Sequence, residues 1–290
     1  MVPGLSILFM AISFLISFGF PAVLFLIFRK RFKTRIVPLL LGIAGFTLFV
    51  LVLEQFLHAA VLRRDASGAI TLMAQPAIYV LYGCFAAGIF EETARFIAFN
   101  ILKRKRKKTD AVLLNSEGEV VTTFPDLQER RGVGDALAYG IGHGGIEAVL
   151  LLGAAMLNNI IFSVMINAGT LPALTGSQQD VITNAVSTLT TTQPYMFLLG
   201  GIERIPAVTI QISLSVLVWL AVGDKRRIWL FPAAICLHAL LDVPAALMQC
   251  GVLNSAVAVE IILAVSAVVL TGLAVMAYKR FNSEVGSETA

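Results

Sequence analysis

Residues 77–102 read AIYVLYGCFAAGIFEETARFIAFNIL and run directly into the basic sequence KRKRKK at 103–108. A helix needs about 20 apolar residues to cross roughly 30 Å of hydrocarbon, so this stretch is long enough to span a membrane. Glu91, Glu92 and Arg95 lie inside it. Each of these side chains costs roughly several kcal/mol in hydrocarbon unless a partner or a water-filled cavity compensates. The stretch therefore predicts a membrane helix that contributes to a polar site.

The composition of the whole chain indicates a membrane protein. Its 290 residues are 58% hydrophobic and 14% charged, with a mean hydropathy of +0.85, whereas soluble domains carry about 25% charged residues. We predict an all-α, polytopic transmembrane helical bundle of about seven spans, because irregular backbone cannot face lipid. The predicted spans are 4–28, 37–62, 77–102, 133–162, 194–222, 228–249 and 252–278. We find no internal repeat and expect residues 1–290 to form a single integral-membrane bundle.

Two connections between the predicted spans are long. The first, about 103–132, is expected to be a cytoplasmic loop, and the turn-like residues Asn115–Gly118 suggest a short hairpin within it. The second, about 163–193, is expected to be an outer loop without lysine or arginine, in which Gln178–Leu189 predicts a short amphipathic surface helix. Neither connection is long enough to form a second domain.

The lysines and arginines predict the orientation of the bundle. Of 22 such residues, 18 lie on one side of the predicted spans, two (Arg63 and Arg64) on the other, and two (Arg95 and Arg204) inside spans. The 18 are Arg29, Lys30, Arg31, Lys33, Arg35, Lys103–Lys108, Arg130, Arg131, Lys225, Arg226, Arg227, Lys279 and Arg280. The positive-inside rule then places the N-terminus outside and the C-terminus in the cytoplasm. Topology accounts for the basic runs, so we expect the lipid bilayer as a partner and no nucleic acid.

Three polar clusters fall at a similar depth in three different spans. Glu91 lies 11 residues from Leu102, His143 lies 10 from Val133, and His238 lies 10 from Ile228. At 1.5 Å per residue each is roughly 15 Å from the inner boundary, near the middle of the membrane. Glu147 and Asp242 each follow a histidine by four residues, which places both members of each pair on one helical face.

Two chemical interpretations fit such a layer of carboxylates and imidazoles. In the first, His143 and His238, with Glu91 or Asp242, bind a divalent cation such as zinc and leave one position for water. In the second, no metal is needed: Glu91 is the general base that holds water with His143, and His238 and Asp242 stabilise the oxyanion. Both interpretations predict hydrolysis of an amide bond within the membrane.

The remaining charged residues in the spans are interpreted as supporting residues. Arg95 is expected to pair with Glu92 or another carboxylate and to fix the rotation of its helix. Glu147 and Asp242 are expected to orient the histidines. Adjacent residues of a helix point about 100° apart, so Glu203 and Arg204 are not expected simply to neutralise each other. A structural pairing with residues such as Glu147 and direct participation near the site both stay open for them.

The three clusters resemble the motifs of the CAAX-protease and bacteriocin-processing (CPBP) superfamily. These motifs are Glu91-Glu92-Thr93-Ala94-Arg95, Tyr139-Gly140-Ile141-Gly142-His143 and His238-Ala239-Leu240-Leu241-Asp242. The chain is more similar to the YhfC branch of intramembrane metalloproteases, related to PrsW, because of the sequence GHGGIE at 142–147 and the later Glu203-Arg204. The resemblance covers about 77–245, the motif-bearing core.

The chain departs from the prenyl-protein proteases in two places. The first motif is spaced EExxR rather than EExxxR, and Asp242 stands where those proteases usually have asparagine. Both departures favour the YhfC and PrsW side and argue against a prenylated substrate. The resemblance implies a protease fold with a metal, most simply zinc, and a membrane-associated peptide or protein as substrate.

The sequence therefore predicts an intramembrane endopeptidase, in a multi-pass protein of a bacterial-type cytoplasmic membrane. The predicted catalytic residues are Glu91, His143, His238 and Asp242, and the predicted supporting residues are Glu92, Arg95, Glu147, Glu203 and Arg204. Buried carboxylates and histidines also occur in proton- or cation-coupled transporters, which is the second prediction. The third is a catalytically silent binding or immunity protein on the same scaffold. The sequence specifies neither the substrate nor the oligomeric state.

Overall fold

The computed structural model describes residues 1–109, 125–171 and 176–288, and this part of the chain is helical with no named β-strand. Two of its helical segments pass through a π-helical turn, and short 3₁₀ turns lie at Thr71–Ala74 and Lys225–Arg227. The helices are α1 (Gly4–Phe32), α2 (Ile36–Leu48), α3 (Gln55–Val61), α4 (Pro76–Thr109), α5 (Pro125–Ala148), α6 (Ala154–Ala168), α7 (Ser177–Thr191), α8 (Pro194–Gly223), α9 (Leu230–Gln249) and α10 (Ala256–Glu288). The π-helical turns Phe49–Glu54 and Val149–Gly153 join α2 to α3 and α5 to α6.

Six helical segments of the described chain are long and apolar enough to cross a membrane. They are Gly4–Phe32, Ile36–Val61, Val133–Ala168, Pro194–Gly223, Lys225–Gln249 and Ala256–Phe281. The third predicted span, 77–102, lies within α4, which is 34 residues long. Glu91, Glu92 and Arg95 make α4 less apolar than the other six segments, so its length alone does not establish a crossing.

The first of the two long connections contains more helix than the sequence predicts. The predicted loop 103–132 is helical at both margins, because α4 continues to Thr109 and α5 begins at Pro125. The hairpin predicted at Asn115–Gly118 lies outside the described residues. In the second connection, the helix predicted at Gln178–Leu189 is confirmed as α7. These differences follow from the polar ends of the helices, which continue beyond the apolar residues that define a span.

Hydrogen bonds between the ends of the long helical segments group these ends into two sets, so the bundle has two ends. At the end we call the basic end, Lys103 donates hydrogen bonds to the carbonyls of Val222 and Gly223, and Arg227 donates to the carbonyl of Phe281. Arg35 lies between α1 and α2 at the same end, and its hydrogen bond to Asp135 raises the pKa of the Arg35 guanidinium. The opposite end carries the connections 62–75 and 250–255, residues 169–171 and α7.

Glycines allow α5 to pack closely against its neighbours. A Cβ atom on Gly42 of α2 would lie 2.2 Å from the carbonyl oxygen of Tyr139, and one on Gly142 would lie 2.1 Å from that of Leu39. A Cβ on Gly140 would lie 2.5 Å from Cα of Ile212 in α8. The four glycines around His143 therefore serve tight packing rather than a helix break. Helix α8 is also continuous through Gly200, Gly201 and Pro206.

A large apolar core fills the half of the bundle nearer the basic end. Its buried members come from α4, α5, α8, α9 and α10, and include Phe99, Leu102, Tyr139, Leu214, Leu217 and Ala234. The polar side chains of Glu91, His143 and His238 lie on the side of this core toward the opposite end. The core thus separates the polar cluster from the basic end.

Candidate active site

A buried ion pair on α4 forms the base of the polar cluster. Arg95 donates from Nη1 to Oε1 of Glu92 and from Nη2 to Oε1 of Gln211, and the side chains of Arg95 and Glu92 are fully buried. The same Glu92 oxygen lies 2.7 Å from Nδ1 of His238. The expected pairing of Arg95 with Glu92 is therefore present, and it links α4 to both α8 and α9.

Glu91 lies at the centre of the cluster. Its Oε2 atom is 2.8 Å from Nε2 of His143 and 3.7 Å from Nε2 of His238. Gln211 donates to the same oxygen over 3.0 Å. The carboxylate, the two imidazoles and the amide come from four helices, α4, α5, α9 and α8. The three residues that the depth calculation placed in one layer thus meet at one carboxylate oxygen.

Gln211 is the site residue that the sequence interpretation missed. Besides Glu91, its Nε2 donates to Oε2 of Glu147 over 3.0 Å, and its Oε1 accepts from Arg95. The signal was available, because Gln211 lies 12 residues from Gly223, or roughly 18 Å at 1.5 Å per residue, close to the depth of Glu91. It belongs to no motif and is uncharged, so neither the motifs nor the cost of buried charge points to it.

His238 lies between three carboxylates. Its Nδ1 faces Glu92, and its Nε2 is 3.7 Å from Glu91 and 3.6 Å from Oδ2 of Asp242. Both ring nitrogens therefore face acceptors, which is the environment that suits a doubly protonated, donating imidazole. The i, i+4 pairing of His238 with Asp242 has the geometry expected from their spacing.

His143, unlike His238, has a polar partner at only one of its two ring nitrogens among the described residues. Its Nε2 contacts Glu91, whereas its Nδ1 is buried and has no hydrogen-bond partner among the described residues. Phe46 packs edge-on against the ring at 5.3 Å between centroids, and Tyr139 stacks on it at 6.0 Å. Two aromatic rings thus hold the imidazole in place. No hydrogen bond joins His143 to Glu147, whose carboxylate bonds instead to Gln211 and Arg204.

Glu203 and Arg204 lie beside the cluster, toward the opposite end. The two side chains form an ion pair with each other, and Nη1 of Arg204 is 3.5 Å from Oε1 of Glu147. The expectation that these neighbours would not neutralise each other is wrong, because long side chains can turn toward each other despite the 100° between their Cα–Cβ directions. Of the two alternatives open for these residues, the structural pairing with Glu147 has a contact in the structure, between Arg204 and Glu147.

Side-chain exposure rises in the same direction along the helices of the site. On α4 it goes from 0% at Arg95 to 8% at Glu91, on α5 from 0% at His143 to 16% at Glu147, and on α9 from 5% at His238 to 41% at Asp242. Each increase points toward the opposite end of the molecule. The cluster is therefore closed at the basic end and open at the other.

A cavity of about 210 Å³ lies at the open side of the cluster. Its polar lining combines four predicted site residues with Gln211 and one further carboxylate, and consists of Glu147, Glu203, Gln211, His238, Asp242 and Glu260. Apolar residues of α8, α9 and α10 complete the wall, among them Ile210, Leu241 and Leu263. His238 thus faces a space that a small group or a few water molecules can enter.

The structure groups the potential metal ligands differently from the sequence prediction. Within the described chain, one atom each from Glu91, His143 and Glu147 lie within 4.8 Å of one another. One imidazole nitrogen and two carboxylate oxygens are a donor set that zinc accepts. The sequence prediction had joined His143 and His238 with Glu91 or Asp242, and Glu147 was expected only to orient a histidine. Its bond to Gln211 turns it toward Glu91 instead.

The fold and this cluster together define a polytopic helical membrane protein with a buried glutamate–histidine centre. The family model described as "YhfC intramembrane metalloprotease" matches residues 12–118 and 113–263, which include every residue of the site. The chain is also 35% identical over 269 residues to "Uncharacterized membrane protein YhfC" of Bacillus subtilis (strain 168), covering 92% of this chain and 94% of the relative. The chain belongs to the YhfC family. No solved structure matches it.

Proposed function

We propose that this protein is an intramembrane endopeptidase that hydrolyses a peptide bond of a membrane-associated protein or peptide. The observation that carries the proposal is the position of Glu91, which contacts His143 and faces His238, a residue that lines the cavity. A carboxylate and an imidazole held beside a space that admits water are the parts that hydrolysis requires. The family description, intramembrane metalloprotease, supports the same reaction class.

The residues have distinct roles in this proposal. Glu91 takes a proton from water while the water oxygen attacks the carbonyl carbon of the substrate. His238, which faces both the cavity and two carboxylates of α4, donates a hydrogen bond to the oxyanion that forms. When the C–N bond breaks, the proton held by Glu91 passes to the leaving amine. His143 fixes the Glu91 carboxylate, and Asp242 orients His238.

Residues other than the proposed catalytic ones hold Glu91 and His238 in place. Glu92 and Arg95 bind His238 and Gln211, and Gln211 in turn binds Glu91 and Glu147. Arg204 and Glu203 connect Glu147 to the mouth of the cavity. Because the base of this network is fully buried, the reacting groups have little freedom to move, which favours a preorganised site.

The donor set is compatible with a divalent metal, for which zinc is the first candidate. Glu91, His143 and Glu147 would hold it, since their ligand atoms already lie within 4.8 Å of one another. In this metal-assisted form of the proposal Glu91 would be a ligand, whereas in the metal-free form it is the general base described above. When bound, such an ion polarises a carbonyl and lowers the pKa of its water. Gln211, through its bonds to both carboxylates, would orient two of the three ligands, as partners of metal ligands commonly do.

The proposal also includes a membrane topology. We infer that α4 also crosses the membrane, which brings the number of spans to seven, because α4 packs against α2, α8 and α9, which belong to apolar spanning segments. The basic residues place the basic end in the cytoplasm, with the N-terminus outside and the C-terminus inside. The cavity then faces the outer half of a bacterial-type cytoplasmic membrane. The motif order supports a relationship to PrsW and to the CPBP superfamily.

Transport is the weaker candidate because of the apolar core. A proton- or cation-coupled carrier requires polar residues that continue across the bilayer. Between Arg95 and the basic end, the described helices contribute buried apolar residues such as Phe99 and Leu214 instead. A catalytically silent protein on the same scaffold is equally compatible with the fold, and only an activity measurement separates it from the enzyme.

The decisive experiment measures cleavage of fluorogenic peptides and a membrane-protein library by the purified chain in lipid vesicles. We expect Glu91→Gln and His238→Ala each to reduce turnover by about 10²–10⁴-fold, the usual contribution of acid–base groups. Asp135→Asn is the matched control, since Asp135 is a buried carboxylate that pairs with Arg35 at the basic end rather than with a residue of the site. Turnover unchanged by Glu91→Gln would refute the mechanism, and absence of cleavage by the wild type would favour the silent alternative.

Metal binding is tested separately by elemental analysis of the purified protein. We expect close to one equivalent of a divalent metal, lost in His143→Ala and retained in His58→Ala, because only His143 belongs to the Glu91 and Glu147 group. Removal of the metal by a chelator should abolish cleavage, and re-addition should restore it. Full activity without any metal would assign the reaction to the metal-free interpretation.

A further inference from the structure

A second and larger cavity, which we call the groove, borders two helices that carry the site, α5 and α8. It encloses about 750 Å³ between α1, α5, α8 and α10, a volume in the range of about 300–1,000 Å³ typical of small-molecule sites. On α8, Ile212, Ser213 and Val216 line this groove, whereas Ile210 and Gln211 line the active-site cavity. At 100° per residue these two sets lie on different faces of α8, so the groove is a separate feature.

The length of the groove matches one leaflet of a bilayer. On α1 its lining runs from Phe20 through Leu24 and Phe28 to Arg31. Eleven residues at 1.5 Å per residue correspond to roughly 16 Å, and half of a hydrocarbon core of about 30 Å is roughly 15 Å. The groove therefore extends from the basic end to about the middle of the membrane.

The lining is apolar along its length and cationic at the basic end. Aromatic and aliphatic side chains form most of the wall, and Ser213 and Thr271 bond to each other over 3.0 Å. Arg31 lies at the mouth, is exposed, and forms no ion pair with any side chain in the described part of the chain. Its guanidinium carbon is 5.9 Å from the ring centroid of Phe32, which also lines the groove.

We propose that this groove binds an anionic phospholipid of the leaflet at the basic end. One acyl chain lies along Phe20, Leu24 and Phe28, and the phosphate group pairs with Arg31. The charge pattern selects this occupant, because a lipid has its anionic group at the membrane surface and its apolar chain toward the middle. Basic pockets between membrane helices on the cytoplasmic side are known to recognise anionic headgroups.

The headgroup part of the proposal is tested with two lipids that share acyl chains. The purified full-length protein in detergent is titrated with phosphatidylglycerol or phosphatidylcholine, and bound lipid is counted by native mass spectrometry. We expect phosphatidylglycerol to bind about fivefold more tightly, since one basic residue near the surface contributes about 1 kcal/mol. Arg31→Ala should remove this preference.

Arg29→Ala is the matched control for the charge. Arg29 is an exposed arginine of the same last turn of α1, but two residues away it projects about 160° from Arg31 around the helix. It should keep the preference for phosphatidylglycerol. Equal binding of the two lipids by the wild type, or an equal loss in Arg29→Ala and Arg31→Ala, would overturn the assignment of the phosphate to Arg31.

The acyl-chain part is tested by filling the groove. Val275 is a groove residue with 46% of its surface exposed, so a Val275→Trp side chain can occupy the groove without disturbing the core. This variant should bind both lipids at least tenfold more weakly. Met276→Trp, on the adjacent exposed residue outside the lining, should bind like the wild type. Unchanged lipid binding in Val275→Trp, or a lipid-free dimer that this substitution dissociates, would refute the proposal.

Discussion

Two glutamate–arginine pairs lie within apolar helices of this protein, and their surroundings differ. The pair of Glu92 and Arg95 is 0% exposed on both sides, whereas Glu203 and Arg204 are 24% and 12% exposed. The first pair also binds Gln211 of α8 and His238 of α9. The second forms an ion pair with Glu147 of α5 outside its own helix. The same chemistry thus joins helices at the closed base of the site and borders the cavity at its open side.

The comparison teaches that depth decides what an ion pair does. A fully buried pair loses the solvation of both charges, so it is maintained only where additional hydrogen bonds satisfy it. Glu92 and Arg95 obtain those bonds from two other helices, and removal of either residue leaves the other charge uncompensated. Near the cavity, water can replace a lost partner, and the cost is correspondingly smaller.

The largest effect is expected at the buried pair. Arg95→Met should lower the free energy of unfolding by about 3–5 kcal/mol, because Glu92 becomes an unpaired buried charge. Arg204→Met should cost only about 1 kcal/mol, since its carboxylate partners border the cavity. Reversible denaturation in mixed micelles measures both. Equal losses in the two variants would remove the distinction between a closed base and an open side.

An intermediate effect is expected at Gln211, which bonds both to Arg95 of the buried pair and to Glu147 beside the more exposed pair. Gln211→Leu removes hydrogen bonds to Glu91, Glu147 and Arg95, each of them to a charged group, and should cost about 2–3 kcal/mol in stability. Turnover should fall as well, because the Glu91 carboxylate loses one of its fixed donors. Gln55→Leu is the control, since Gln55 is an exposed glutamine and should change stability by under about 0.5 kcal/mol. Wild-type turnover in Gln211→Leu would show that the hydrogen bonds of Gln211 are not needed for catalysis.

The smallest effect is expected at the open side. Glu203→Gln keeps the shape of the side chain and removes one charge from a partly exposed pair, so stability should change by less than about 1 kcal/mol. Turnover should stay within about threefold of the wild type, since Glu203 contacts Arg204 rather than Glu91, His143 or His238. Steady-state kinetics against the fluorogenic substrate measures this. A loss comparable to that of Glu91→Gln would place Glu203 among the catalytic residues.

The sequence predicted the layer of the site because intramembrane charge is costly. Glu91, His143 and His238 were selected by depth, and the structure brings all three to one oxygen atom of Glu91. The same reasoning passed over Gln211, because an uncharged amide carries a smaller penalty in hydrocarbon and no motif includes it. A count of every polar side chain at that depth, charged or not, would have found it.

The details of pairing were less predictable. The 100° rule describes where side chains leave the helix, whereas the flexible side chains of Glu203 and Arg204 turn toward each other. The role of Glu147 was also assigned by spacing to His143, yet its contacts are to Gln211 and Arg204. Spacing along one helix specifies a shared face, and the neighbouring helices determine which residue on that face is contacted.

The sequence by itself determined that the chain is a helical membrane bundle with a polar layer formed by α4, α5 and α9. Hydropathy and the cost of buried charge are properties of the residues and need no knowledge of packing. The tertiary structure alone decided that α8 supplies Gln211, that Glu147 groups with Glu91 and His143, and that the site opens at one end. These features depend on the rotation of each helix and on the close approaches that glycines such as Gly42 and Gly142 allow.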